Sequence, residues 1–201
     1  MSTSINVHVA VIYHSGYGHT AKHAEAVAVG AIGAGAETLL ISVDEIEQYW
    51  DALETVDAII FGCPTYMGST SGQFKMFMDA TSSRVFLASK WKDKIAAGFT
   101  NAASRSGDKL STLQQLALFA AQHGMHWVNL GLLSGNNSST GSEDSLNRHG
   151  YFIGAAAQSD ADLSADEAAT SSDLETSEHL GARVASVARE LAFGRAALLQ
   201  R

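Results

Sequence analysis

Short apolar runs alternate with longer stretches of helical spacing along this chain, and the two periods mark out its elements. Ile5 to Tyr13 is a β-branched run that reads as a first strand. From Ala21 to Ile32, Ala24, Val27, Ala28 and Ala31 share one helix face, and Gly33-Ala34-Gly35 ends the helix. Thr38 to Val43 predicts a short buried second strand. Asp44 is placed to N-cap a helix over Glu45 to Leu53, with Glu47 where a capping box needs it. A third strand over Asp57 to Gly62, a helix over Gln73 to Thr81 and a fourth strand over Lys94 to Thr100 follow. Leu110 to His123 reads as a helix and His126 to Leu130 as a fifth strand. Leu180, Val184, Val187 and Leu191 mark a closing helix.

This alternation, with largely apolar strands, predicts an α/β fold in which helices cover both faces of a parallel sheet. The 201 residues suit one such domain, 1–201, and neither a repeat nor a linker marks a second. The pattern fails in Leu132 to Thr176, rich in Ser, Gly, Asn and Ala. From Gly135 to Gly181 the chain carries nine carboxylates and one basic residue, Arg148. So long an irregular stretch in a compact domain implies a job. Tyr151-Phe152, inside Asn147 to Phe152, points to a cover over a site or a subunit contact. Asp160 to Asp173 reads as a flexible, solvated acidic loop.

Charge and composition narrow the partners. A formal net charge of -8 excludes nonspecific nucleic-acid binding. The single cysteine, Cys63, allows no internal disulfide and fits a reducing cytoplasm. The opening residues MSTSINVHVAV lack the regions of a signal peptide, and no apolar run is long enough to span a membrane. The expectation is a cytoplasmic protein.

In open α/β sheets ligands bind beyond the C-terminal strand ends. Three loops meet that description: Ser15-Gly16-Tyr17-Gly18-His19-Thr20; Cys63 to Gly72, with Pro64, Thr65, Tyr66, Met67 and Gly68; and Asn101-Ala102-Ala103-Ser104-Arg105-Ser106-Gly107. The first opens a helix, whose free N–H groups and dipole attract an anion. Ser15 and Thr20 add hydroxyls, and Gly16 and Gly18 permit close approach. It reads as a cradle for one phosphate. The second and third loops offer backbone polar groups, a rigid proline, and Tyr66 and Met67 as apolar walls. Together they match a planar, polar-edged cofactor with a phosphate tail.

Other readings compete. Gly16-x-Gly18-x-x-Ala21 also fits a dinucleotide fingerprint, with Asp44 as the ribose acid, but that leaves the proline-containing second loop without a role. Cys63 reads as a small buried hydrophobe rather than a nucleophile. His19 and His23 lack a third metal ligand, so no metal is expected. Gly68 to Gly72 is not a hydrolase elbow.

Tyr13 to Ala31 (YHSGYGHTAKHAEAVAVGA), Asp57 to Asp79 (DAIIFGCPTYMGSTSGQFKMFMD) and His123-Gly124-Met125 resemble the flavodoxin-like NAD(P)H:quinone oxidoreductases of the WrbA type, over nearly the whole chain. The resemblance implies a three-layer sandwich with a five-stranded parallel sheet in order 2-1-3-4-5. It implies FMN, its phosphate on Ser15 to Thr20, its ribityl chain and ring against Pro64 to Met67, and Asn101 to Gly107 on the ring's other side. His123 would also face the flavin, and Tyr17 the nicotinamide or quinone. On this basis His123 and Tyr17 are the expected catalytic residues. NADH or NADPH is the expected co-substrate, a quinone-type small molecule the acceptor, and a homodimer or homotetramer the assembly. A flavodoxin-like single-electron carrier is the alternative.

The chain departs from the family at Tyr66 and Met67, where arginine and phenylalanine are usual, and at Asn101 to Ser106, where a Ser-Thr-Gly-Thr-Gly-Gly loop is usual. These departures leave FMN binding in place and fall on the acceptor side and the tetramer.

Overall fold

The computed structural model describes residues 5–199. In chain order it contains β1 (His8–Tyr13), α1 (His19–Gly33), β2 (Glu37–Ser42), α2 (Trp50–Thr55), β3 (Ala58–Tyr66), β4 (Ser69–Thr70) and α3 (Gly72–Thr81). Then come β5 (Ile95–Ala102), α4 (Lys109–Gln122), β6 (His126–Trp127), β7 (Ala155–Gln158), α5 (Ala165–Ala168) and α6 (Ser171–Leu199). The strands run β2-β1-β3-β5 in parallel, and β6 and β7 share the fifth position beside β5. The expected order 2-1-3-4-5 holds, with the fifth strand in two pieces.

That split corrects the continuous strand expected over His126 to Leu130. β6 pairs with Ile95 and Ala96, and the Val128 N–H still reaches the Ala96 carbonyl at 2.7 Å. The chain then leaves the sheet through residues 129–154 and returns as β7 beside Phe99 to Ala102. The Trp127 indole N–H pins the return by donating to the Ile153 carbonyl at 2.8 Å. Gly154 lets the backbone come in, since a Cβ there would lie 2.2 Å from the Gly98 carbonyl oxygen.

Other boundaries moved for local reasons. β2 is the edge strand, and Leu39 and Leu40 are partly exposed rather than buried. Asp44 does not cap: the Ser42 hydroxyl accepts its N–H, a 3-10 turn spans Val43–Gln48, and α2 begins only at Trp50. β3 continues through Cys63-Pro64-Thr65-Tyr66, and β5 through Asn101-Ala102, with Pro64 opposite Asn101. β1 ends opposite Gly62, so β3 has one open side beyond that point, where a proline is tolerated.

The period of two along the strands divides the core. Val9, Val11 and Ile60 pack toward α1 and α6 with Val27, Leu180 and Val184. Ala10, Ile12, Ile59 and Phe61 pack on the other face with Phe74, Phe77, Trp91 and Phe119. α1 and α6 touch backbone to backbone: a Cβ at Gly181 would lie 1.9 Å from the Val27 carbonyl oxygen. The stretch expected to be a solvated acidic loop instead holds α5, and at Ser171 it becomes the start of α6, where Asp173 is buried. Among the described residues no helix is long and apolar enough to cross a membrane.

Candidate functional site

A cavity of about 470 Å³ opens at the C-terminal edge of the sheet. Ser15, Gly16, Tyr17, His19 and Thr20 line it from the first loop, Pro64, Thr65 and Tyr66 from the second, and Asn101, Ala102 and Ala103 from the third. These segments are far apart in sequence and meet because β1, β3 and β5 are adjacent and parallel.

Gly18, Met67, Gly68, Ser104 and Gly107 do not line the cavity. Gly18, at φ 88°, forms the left-handed N-cap of α1. Met67 and Gly68, at φ 49° and 76°, make the turn from β3 into β4, and the Met67 side chain stands in solvent rather than forming a wall. Gly107, at φ 56°, closes the third loop, where a Cβ would lie 2.8 Å from the Ala102 Cβ.

The first loop is prepared for an anion. The earliest amides of a helix have no intrahelical partner. Here the Ser15 hydroxyl accepts the Ala21 N–H at 3.1 Å, while His19 and Thr20 face the cavity. No acidic side chain sits in the first turn of α1, so nothing within the helix cancels its positive end. The Tyr66 hydroxyl lies over Gly16, 2.7 Å from where a Cβ would stand. Tyr66 meets Tyr17 edge to face at 6.4 Å. Burial, and then the neighbouring Tyr17, push the Tyr66 phenol up, so it stays protonated.

Behind the second loop, the Thr65 hydroxyl lies 2.8 Å from both the Thr100 and Thr112 hydroxyls, and Thr100 donates to the Cys63 carbonyl at 2.7 Å. Burial pushes the Cys63 thiol up to about 12, so it is no nucleophile.

His123 is the main correction. It follows α4, whose N-terminus begins just after the third loop. A helix of 14 residues is about 21 Å long, which carries His123 to the opposite end of the sheet. There it packs against Trp91 and Phe119, each at 4.8 Å, with Nε2 3.0 Å from the Thr81 hydroxyl. The Thr81 hydroxyl already donates to the Met78 carbonyl, so Nε2 is the donor in that pair. Burial pushes its pKa down to about 4, and the ring is neutral. His123 does not share this chain's cavity with Tyr17.

The fourth wall was missed. Ser159 and Ala161, just after β7, complete the cavity, and the Ser159 hydroxyl donates to Asn101 Oδ1 at 3.2 Å. The chain then crosses the first loop: His19 Nε2 donates to the Leu163 carbonyl at 3.0 Å, and Lys22 pairs with Asp166 at 2.6 Å. A signal was present in Ser164-x-x-Glu167, which forms a complete capping box. Tyr151, expected as a cover or contact, donates its hydroxyl to the Ser106 carbonyl at 2.9 Å and so braces the third loop.

Residues 36–139 match a family described as NADPH-dependent FMN reductase. A structure of a "flavodoxin, WrbA-like protein" from Agrobacterium tumefaciens aligns with TM-score 0.72 and 45% identity, over 92% of this chain and 98% of that one. The chain belongs to the WrbA-type, flavodoxin-like family. Flavodoxin FldP of Pseudomonas aeruginosa, another relative, is 44% identical, covering 90% of this chain and 96% of that protein. An NAD(P)H dehydrogenase (quinone) of Archaeoglobus fulgidus is 32% identical, covering 91% and 98%. The WrbA-type assignment agrees with the strand order and with the cavity's place at the sheet's C-terminal edge.

Proposed function

We propose that this chain is an FMN-dependent oxidoreductase that passes two electrons from NADH or NADPH to a quinone-type acceptor. The observation that carries it is the cavity, of a size within the usual range of about 300–1,000 Å³ for small-molecule sites, with a helix N-terminus that has no acidic side chain in its first turn at one end. The donor set fits FMN: amides and hydroxyls for a phosphate, and Tyr66 beside a polar strand-end wall for a flat ring.

In this reading Ser15 to Thr20 hold the phosphate, while Pro64, Thr65, Tyr66 and Asn101 to Ala103 hold the ribityl chain and ring. Bound FMN supplies hydride acceptance and electron transfer, which the protein directs by position and polarity. Tyr17, 79% exposed at the rim, is the side chain placed to meet an incoming nicotinamide or quinone and donate a hydrogen bond to it.

A second reading, a flavodoxin-like electron carrier, is favoured by the names of the relatives that are 44% and 45% identical and by the acidic net charge, which suits docking to basic partners. The reading also includes a cytoplasmic location, in keeping with the lone buried cysteine, and a homo-oligomer. Exposed Met76, Phe86 and Leu87 on α3 and the turn after it support the oligomer.

The test is an FMN titration followed by NADH and NADPH oxidation with benzoquinone. One FMN per chain with benzoquinone-dependent turnover supports the enzyme. FMN without turnover supports the carrier, and a folded protein that takes up no FMN ends both.

A further inference from the structure

Asp173 is an acidic residue with almost no contact with water, at 2% exposure. Its carboxylate accepts four hydrogen bonds. Oδ1 takes one from Arg148 Nε at 2.8 Å. Oδ2 takes three: from Arg148 Nη2 at 2.8 Å, His149 Nε2 at 3.2 Å and the Gln158 backbone N–H at 3.0 Å. Burial by itself would raise the pKa, but the Arg148, His149 and Gln158 hydrogen bonds outweigh it and hold the carboxyl well below the usual carboxylate range.

The Gln158 bond links this ion pair to the cavity. Gln158 ends β7, and the next residue is Ser159 of the fourth wall. From there the chain is strung to the first loop, tied at Leu163 to His19 and at Asp166 to Lys22. On its other side Arg148 donates to Glu143 at 2.8 Å, and Glu143 accepts from Arg105 of the third loop at 2.7 Å. Arg148, His149 and Glu143 all belong to the excursion that splits the fifth strand.

We propose that Asp173 is a positioning residue of the cofactor site: through the Gln158 amide it sets the Ser159–Ala161 wall, and the excursion supplies the cations that orient its carboxylate. This inference rests on the FMN reading. A merely structural ion pair differs in its consequences: its replacement by apolar groups changes stability and leaves FMN affinity as it was.

Two double variants separate the roles. Arg148→Met with Asp173→Leu removes both charges and the acceptor for Gln158 and His149. Arg148→Met with Asp173→Asn removes both charges and keeps an acceptor. The readouts are thermal stability, FMN affinity by flavin fluorescence, and circular dichroism of bound FMN. The Leu pair is expected to bind FMN about tenfold or more weakly with altered flavin dichroism, since one buried amide loses its partner. The Asn pair is expected to stay within about threefold of wild type. Equal FMN affinity for wild type and the Leu pair overturns the positioning role and leaves the FMN reading standing. A folded wild type that takes up no FMN overturns both.

Hydrogen exchange of the unaltered protein decides the matter if the variants fail to fold. The Gln158 amide is expected to be protected before FMN is added, with added FMN slowing exchange over Ser159 to Asp166. An unprotected Gln158 amide in FMN-free protein overturns the proposal.

Discussion

The two ends of the sheet hold similar side chains put to opposite use. At the C-terminal edge, hydroxyls, a histidine and aromatic rings surround an open cavity, and the first turn of α1 carries no acidic side chain. At the opposite end Thr81, His123, Trp91, Phe119 and Phe86 also gather, but the hydrogen bond there is made within the protein and the imidazole is held neutral. A polar group becomes a candidate for function when folding leaves its hydrogen-bonding capacity unspent and reachable. The strand ends of a parallel sheet do this where chains turn into helices. At the far end of α4 a cavity of about 360 Å³ also opens, but there His123 Nε2 already donates to the Thr81 hydroxyl.

The largest expected effect tests the open end. Ser15→Ala with Thr20→Val removes two hydroxyls proposed to donate to a phosphate. Hydrogen bonds to charged groups contribute about 1.5–3 kcal/mol each, so FMN should bind roughly two to four orders of magnitude more weakly. Riboflavin, which lacks the phosphate, should bind both proteins alike. A fluorescence titration with both ligands checks this, and unchanged FMN affinity would show that the first loop is only a turn.

The buried histidines are tested next. Burial pushes His123 and His23 each down to about 4, below the usual 6.5. The unfolded chain therefore binds protons that the folded one does not. Stability should be fully present above pH 6.5 and fall as pH drops toward 4, by up to about 1.4 kcal/mol per pH unit for each histidine. His123→Phe should flatten that slope, seen in urea melts across this window, and leave FMN affinity unchanged. A loss of FMN affinity would mean that the two ends meet, as they could between copies of the chain.

A smaller effect is expected at Tyr66, whose hydroxyl covers Gly16 in the cradle. Tyr66→Phe should clear that loop and tighten FMN by a few-fold, the scale of one neutral hydrogen bond of about 0.5–1.5 kcal/mol. Weaker binding would instead assign the hydroxyl a direct contact with the ligand. The smallest effect should come from Arg105→Ala on the third loop. Its pair with Glu143 is exposed, and such pairs contribute about 0–1 kcal/mol, so thermal stability should shift by no more than a few degrees.

The first loop was legible because its signals are local. A β-branched run, a glycine and hydroxyl turn, and an alanine-rich helix follow one another, and each limits the backbone directly. Tyr66 and Asn101 could be placed from the strands that precede them. The sequence by itself thus determined the parallel α/β layout and three of the cavity's walls. The fourth wall and the position of His123 were decided in three dimensions. Helix α4 carries His123 away from the loop that precedes it, a displacement that motif matching does not measure. Where the fifth strand breaks, Gly154 lets the returning backbone approach the Gly98 carbonyl, and Trp127 pins it. Asp173 looked like one more charge in an acidic stretch, and it is buried because Arg148, brought from 25 residues away, meets it there. A carboxylate's burial depends on the partner that the fold supplies, and nothing in its immediate neighbours along the chain identifies that partner.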